Sequence, residues 1–140
     1  MSLEKNKALF RKVNEAINKK DLTILDEFMA PDYVDNTNQY HSREEVKQFY
    51  TRVFKDFPNF HRTIEDIIAE EDKVCIHLNA TATHTGEWNF LGVTLAPTGK
   101  KIEYTAVNIW RIRDGKIVES RSLFDQLSML QQLGHIPPPG

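Results

Sequence analysis

The sequence predicts an α+β domain in which about three N-terminal helices pack on a curved, mostly antiparallel sheet. Three observations carry this. Apolar residues recur at helical spacing through the first half, and the second half changes to runs of Ile, Val, Thr and aromatics. Between the last two of those runs stands Asp114-Gly115, a strong hairpin signal. Helices followed by a run of strands is the α+β order. A curved sheet covered by helices leaves a cone, which is a natural pocket.

Residues 3–19 place Leu9, Phe10, Val13, Ala16 and Ile17 on one stripe, with lysines and Arg11 around the rest. Asp21 stands where an N-cap belongs, ahead of Leu22, Leu25, Phe28 and Met29, and Pro31 is expected to end that second helix. Ser42 and Glu45 fit the S-x-x-E capping box of a third helix, whose apolar face is Val46, Phe49, Tyr50, Val53 and Phe54. One strand fits between these helices, over 32–37. Strands are then expected over 60–69, 74–85, 101–112 and 116–125, with Glu70–Lys73 as a turn. The Gly- and Pro-containing stretch 86–100 is a long connection with room for a short strand near Trp88. A last apolar turn, Leu127–Leu133, stops at Gly134. Residues 1–140 thus read as a single domain, with 135–140 as a flexible proline tail.

Composition narrows the function classes. Eighteen Lys plus Arg against twenty Asp plus Glu give a net charge of −2, without the basic excess of a nucleic-acid-binding module. The lone cysteine, Cys75, excludes an internal disulfide framework and a multi-Cys zinc site. No apolar run is long enough to span a membrane, and the N-terminal residues are too polar for a signal peptide, so a cytoplasmic location is expected. The histidines lack ligand spacing to carboxylates, and no metal site or organic cofactor is expected. Phosphate-cradling and dinucleotide glycine motifs are absent, as is a nucleophile elbow.

Strand parity selects the candidate residues. Over 74–85, Val74, Ile76, Leu78, Ala80, Ala82 and His84 share one face. His84 therefore ends an apolar stripe where side chains have shrunk to alanine. It is either a hydrogen-bonded histidine at the edge of the core or a pocket imidazole suited to proton transfer. Asp125, after the last strand, is the carboxylate selected as general acid/base; the competing reading makes it the N-cap of the apolar turn that follows. By parity it shares a face with Ile117 and Leu123. Asn36 shares a face with Val34 and is expected to point inward. Tyr104, Asn108 and Trp110 share one face of 102–112; neither face of that strand is purely apolar, so one of them lines a pocket or a subunit interface, with ordinary sheet packing as the competing reading of Tyr104 and Trp110. Trp88 is read as a lid or a plug over a ligand. Glu103, Asp66 and Asp35 are the carboxylates left for an isomerase or hydrolase. A homodimer is expected, through exposed sheet residues including Tyr104 and Trp110.

Several segments occur in a telling order: Phe57-Pro58, Ile64–Ile67, Thr83–Glu87, Pro97–Lys100, Arg111–Glu119, Asp125 and Leu130–Gly134. This ordered set resembles the SnoaL-like polyketide cyclases of the nuclear-transport-factor-2-like (NTF2-like) superfamily, from about residue 5 to 134. The resemblance implies a cone-shaped NTF2-like barrel with a deep apolar pocket. It also implies intramolecular aldol ring closure without metal or organic cofactor. Asp125 stands at the position of the family's general acid/base, and His84 matches the histidine of its His-Thr-Gly motif. Asn36 stands where many relatives carry histidine. Catalysis by Asp125 and His84, with Asn36, Asn108, Trp88 and Tyr104 binding substrate, is the enzyme reading. A non-catalytic binder of a small apolar or aromatic ligand is the alternative.

Overall fold

The structure, a computed structural model, describes residues 2–36, 40–90 and 93–137, with the backbone alone for residues 88–90 and 93. Four helices and seven strands are found there: α1 (Leu3–Asn18), α2 (Ile24–Phe28), β1 (Met29–Asp35), α3 (Arg43–Asp56), β2 (His61–Glu70), β3 (Lys73–Thr83), β4 (Trp88–Phe90), β5 (Val93–Leu95), β6 (Lys101–Arg113), β7 (Lys116–Phe124) and α4 (Gln126–Gln132). Five strands form one curved sheet in the order β1-β7-β6-β3-β2, and β4-β5 is a separate hairpin. The large sheet is mixed, because β1 runs parallel to β7 while the other pairs are antiparallel. It is unclosed: β1 and β2 are its two edges.

Local chemistry explains the element ends. Ser42 accepts a hydrogen bond from the first-turn Glu45 amide at 3.2 Å, and Glu45 reaches back to accept one from the amide of His41, the residue before the cap, at 3.0 Å. Asp114 and Gly115 both have positive φ, 52° and 73°, as a two-residue type I′ hairpin requires. The second helix is shorter than its apolar pattern implies. β1 begins at Met29 and carries Pro31 within it, which an edge strand tolerates because one side of its ladder is free. The apolar turn after Phe124 is a helix, α4. It docks where β7 stops and leaves that side of β6 without a strand partner: the Gln132 amide donates to the Glu103 carbonyl at 2.7 Å, and its oxygen accepts from the Glu103 amide at 2.8 Å.

The helices cover the inner face of the sheet. Phe10, Val13, Ile17 and Leu25 from α1 and α2 pack with Val74, Ile76, Leu78, Trp110, Ile112 and Ile117. A second cluster joins Val53 and Phe57 to Ala82, Ile102, Met129, Leu130 and Leu133. The C-terminus of α3 meets the 84–86 segment so closely that a Cβ on Gly86 would lie 2.4 Å from Asp56 Cα. Only glycine fits there, and its amide donates to the Asp56 carbonyl at 2.7 Å. No described helix is long and apolar enough to cross a membrane.

The pairing of β1 with β7 is irregular between Met29 and Val34, and two further irregularities bear on which side chains of β2 and β7 face the helices. The register shifts between Ile64 and Asp66 in β2, and again where Arg111 and Ile112 of β6 meet β7. A bulge reverses the alternation beyond it. Ile117 is buried, but after the shift the inward residues of β7 are Ser120, Ser122 and Phe124, whereas Leu123 is 76% exposed. The parity that grouped Asp125 with Ile117 and Leu123 is corrected by this bulge.

Candidate functional site

Helices and sheet enclose a cavity of about 340 Å³, lined mostly by apolar and aromatic side chains. Its polar groups fall in two places. At one, Asp35 of β1 pairs in register with Ser120 of β7, Ser122 follows two residues on, and Ser122 pairs with Asn108 of β6. All four line the cavity. The Tyr33 hydroxyl hydrogen-bonds the Ser120 hydroxyl. Asp35 is only 6% exposed, and its backbone amide donates to the Tyr40 carbonyl at 2.8 Å. A buried carboxylate, two serine hydroxyls and a carboxamide therefore share one corner of an otherwise apolar chamber.

At the other place are Arg62 of β2 and Tyr104 of β6. Burial pushes the Tyr104 phenol up to about 12, against an opposing pull from Arg62. Burial likewise raises Tyr33, although its bond to Ser120 works the other way, and raises Tyr40. These phenols thus stay protonated at neutral pH and offer hydroxyl groups rather than charges.

The sequence-selected residues divide. Asn108 and Tyr104 line the cavity, which decides between the pocket and the interface that their shared face left open. Trp110 lines it too, packed on Phe10 with ring centroids 4.3 Å apart, so Tyr104 and Trp110 do not form an outward subunit surface. Asn36 does share a face with Val34, but that face is the outer one: its amide donates to Glu119 at 2.8 Å, beside Asp32 and Arg113. The inward residues of β1 are Tyr33 and Asp35, because a wall that lines a cavity accepts polar side chains. Asp125 is exposed, and its carboxylate accepts from the Ser128 amide at 3.0 Å as the N-cap of α4. It is not among the cavity-lining residues. The Trp88 side chain lies outside the described residues.

His84 is fully buried and stacked on Phe57, with ring centroids 5.8 Å apart. Its Nδ1 lies 2.9 Å from Thr98 Oγ1 and accepts from the Thr98 amide at 3.3 Å. The imidazole thus ties the 98–100 segment to the end of β3, outside the cavity lining. Burial lowers its pKa below the ordinary 6.5, against an opposing pull from Asp56. A histidine held neutral in the fold binds fewer protons than in the unfolded chain. Its contribution to stability is therefore full above about pH 6.5 and lost as pH falls from there through its lowered folded value. Denaturation midpoints measured from pH 8 to 5 are expected to fall more steeply for the wild type than for His84→Gln.

The other carboxylates singled out in the sequence are surface groups: Glu103 accepts from Asn79 at 3.0 Å, and Asp66 sits 3.2 Å from His77 Nδ1. Among the described residues, no three His, Cys, Asp or Glu side chains converge as a metal site. Sequence reasoning missed Tyr33, Ser120, Ser122 and Arg62. The signal available for the serines was Ser120-Arg121-Ser122 alternating with exposed residues, once a bulge is allowed for.

The family model for SnoaL-like polyketide cyclases matches residues 7–133. The chain belongs to the SnoaL-like polyketide cyclase family. Among solved structures, AclR of Streptomyces galilaeus, a candidate hydroxylase, is 31% identical, with a TM-score of 0.85 over 99% of this chain and 91% of its own. IdmH of Streptomyces antibioticus, a candidate polyketide cyclase, is 32% identical, with a TM-score of 0.76 over 91% of this chain and 97% of its own. A candidate polyketide cyclase from Bacillus cereus is 27% identical, with a TM-score of 0.75 over 91% of this chain and 79% of its own. A search of curated proteins gives no match. These similar structures thus carry names from two reaction types on one fold.

Proposed function

We propose that this protein is a cofactor-independent enzyme of the polyketide cyclase type, closing a ring by intramolecular aldol condensation within the apolar cavity. The observation that carries this reading is the buried carboxylate of Asp35, set beside Ser120, Ser122 and Asn108 on the cavity wall. Asp35 removes a proton α to a carbonyl, and the C–H electron pair becomes the enolate. The enolate carbon attacks a second carbonyl of the same folded substrate, forming the new C–C bond. That second oxygen becomes an alkoxide and takes the proton back from Asp35, so the sequence balances without an oxidant or a metal. The Asn108 amide and the serine hydroxyls are the donors for the developing oxyanions, a type of help worth about 3–4 kcal/mol per donor. The apolar walls hold a flexible chain in a shape close to attack.

This reading shifts the general base from Asp125 to Asp35, because Asp125 already serves as a helix cap at the surface. The test is enolisation itself. The protein in D2O is expected to accelerate deuterium incorporation at the α-carbon of 1-tetralone, an aromatic ketone small enough for the cavity. The binder reading draws support from the structural jobs of Asp125 and His84, and predicts 1-tetralone binding with no acceleration.

A homodimer through the outer face of the sheet belongs to the same proposal. Ile68, Ile109 and Leu123 are the large apolar residues exposed on β2, β6 and β7. Sedimentation at micromolar concentration is expected to give a dimer, and Leu123→Glu is expected to shift it toward monomer. A wild-type monomer under those conditions contradicts it.

A further inference from the structure

The second polar place in the cavity is built around one cation. Arg62 is 7% exposed, on an edge strand, and α1 holds it from two sides. Asn18 accepts from its backbone amide at 2.8 Å and donates to its carbonyl at 2.9 Å; Asn14 also donates to that carbonyl, at 3.2 Å. These bonds replace the ladder that an edge strand lacks. The Asn14 oxygen then accepts from Arg62 Nε at 2.9 Å, and the Tyr50 hydroxyl accepts from Nη1 at 3.2 Å. Nη2 is buried and has no hydrogen-bond partner among the described residues. No described carboxylate forms an ion pair with this guanidinium.

A guanidinium does not lose its proton in a protein, and a buried charge without a counter-charge is costly. Two asparagines and a tyrosine fix its orientation, yet none neutralises it. The neighbouring strand supplies space: Arg62 pairs with Ala80, and Ala80 pairs with Tyr104. The three lie in one cross-strand row, all lining the cavity. Only a methyl group thus stands in the row between Arg62 and Tyr104, whose backbones are two strand spacings, about 10 Å, apart. Asp35, the acid of the cavity, pairs in the row of Ser120 and Trp110. That row is six residues along β6 from Tyr104, or about 20 Å of strand.

We propose that Arg62, with Tyr104, binds a carboxylate of the ligand in the notch over Ala80. The inference rests on the reading of the cavity as a site for an aromatic or polyketide-like ligand, and adds that this ligand is an acid. Arg62 is then the anchor that sets which carbon reaches Asp35 at the far row.

The probes are 2-naphthoate and its uncharged isostere 2-naphthamide, titrated into the full chain by following fluorescence of Trp110 and Trp88. Wild type is expected to bind the carboxylate about 10- to 100-fold more tightly than the amide, the range for a charge-assisted bond to a buried cation. Arg62→Gln is expected to abolish that preference while leaving amide affinity within about threefold, and Arg62→Lys to restore part of it. Equal binding of the two probes by the wild type, or a preference that persists in a folded Arg62→Gln protein, overturns the inference and leaves the cavity reading intact. Failure of both probes to bind the wild type at millimolar concentration overturns the cavity reading, and the inference with it.

Discussion

Asp35→Asn is expected to lower α-proton exchange of 1-tetralone by about 10²- to 10⁴-fold, the usual contribution of a positioned general base. The carboxamide has nearly the same shape, so the pairing of β1 with β7 through Asp35 and Ser120 is retained. What is lost is the ability to accept a proton. The contrast with Asp125→Ala isolates the assignment. Removing the Asp125 carboxylate deletes the cap on the Ser128 amide and costs about 1 kcal/mol of stability, while exchange is expected to stay within about threefold of wild type. Near-wild-type exchange in Asp35→Asn, with loss in Asp125→Ala, would return the chemistry to the helix cap.

The largest effect on stability is expected at Phe10. This ring is fully buried and packs at 4.3 Å on Trp110, which in turn lines the cavity. Phe10→Ala removes the ring and leaves a void that the helix–sheet interface fills only in part. Truncations of this kind cost about 3–5 kcal/mol, to be read as a lower denaturant midpoint at an unchanged slope. Because Trp110 loses its support, ligand affinity is expected to fall in the variant even where it is folded. Phe10→Leu, which keeps most of the volume, is expected to lose far less of both.

How much of this was written in the sequence depends on the range of the interaction. The capping residues Ser42 and Glu45, the Asp114-Gly115 turn and the four long strands were legible, because each depends on neighbours within a few residues. That Asn108 and Tyr104 share one face was legible for the same reason, since β6 pairs without interruption against β3; that this face turns inward was not. The rest was hidden by a bulge and an inverted expectation. A bulge near Val118 exchanges the faces of β7, bringing Ser120 and Ser122 inward and turning Leu123 out. In β1 the apolar Val34 looked like the inward residue, yet Tyr33 and Asp35 are the buried pair. Apolar-in, polar-out alternation describes a packed core; it fails where the strand lines a chamber that has polar work to do. Arg62 could not be recognised locally, because its partners Asn14, Asn18 and Tyr50 come from two different helices.

The most direct test of the central claim is a structure of the protein with 1-tetralone bound. The account predicts the ketone inside the cavity, with its α-carbon about 3–3.5 Å from an Asp35 carboxylate oxygen, the separation of a near-attack geometry, and its carbonyl oxygen toward Asn108 or Ser122. A ketone seated in the cavity with its α-carbon remote from Asp35, or bound beside Asp125 with the cavity left empty, would contradict it.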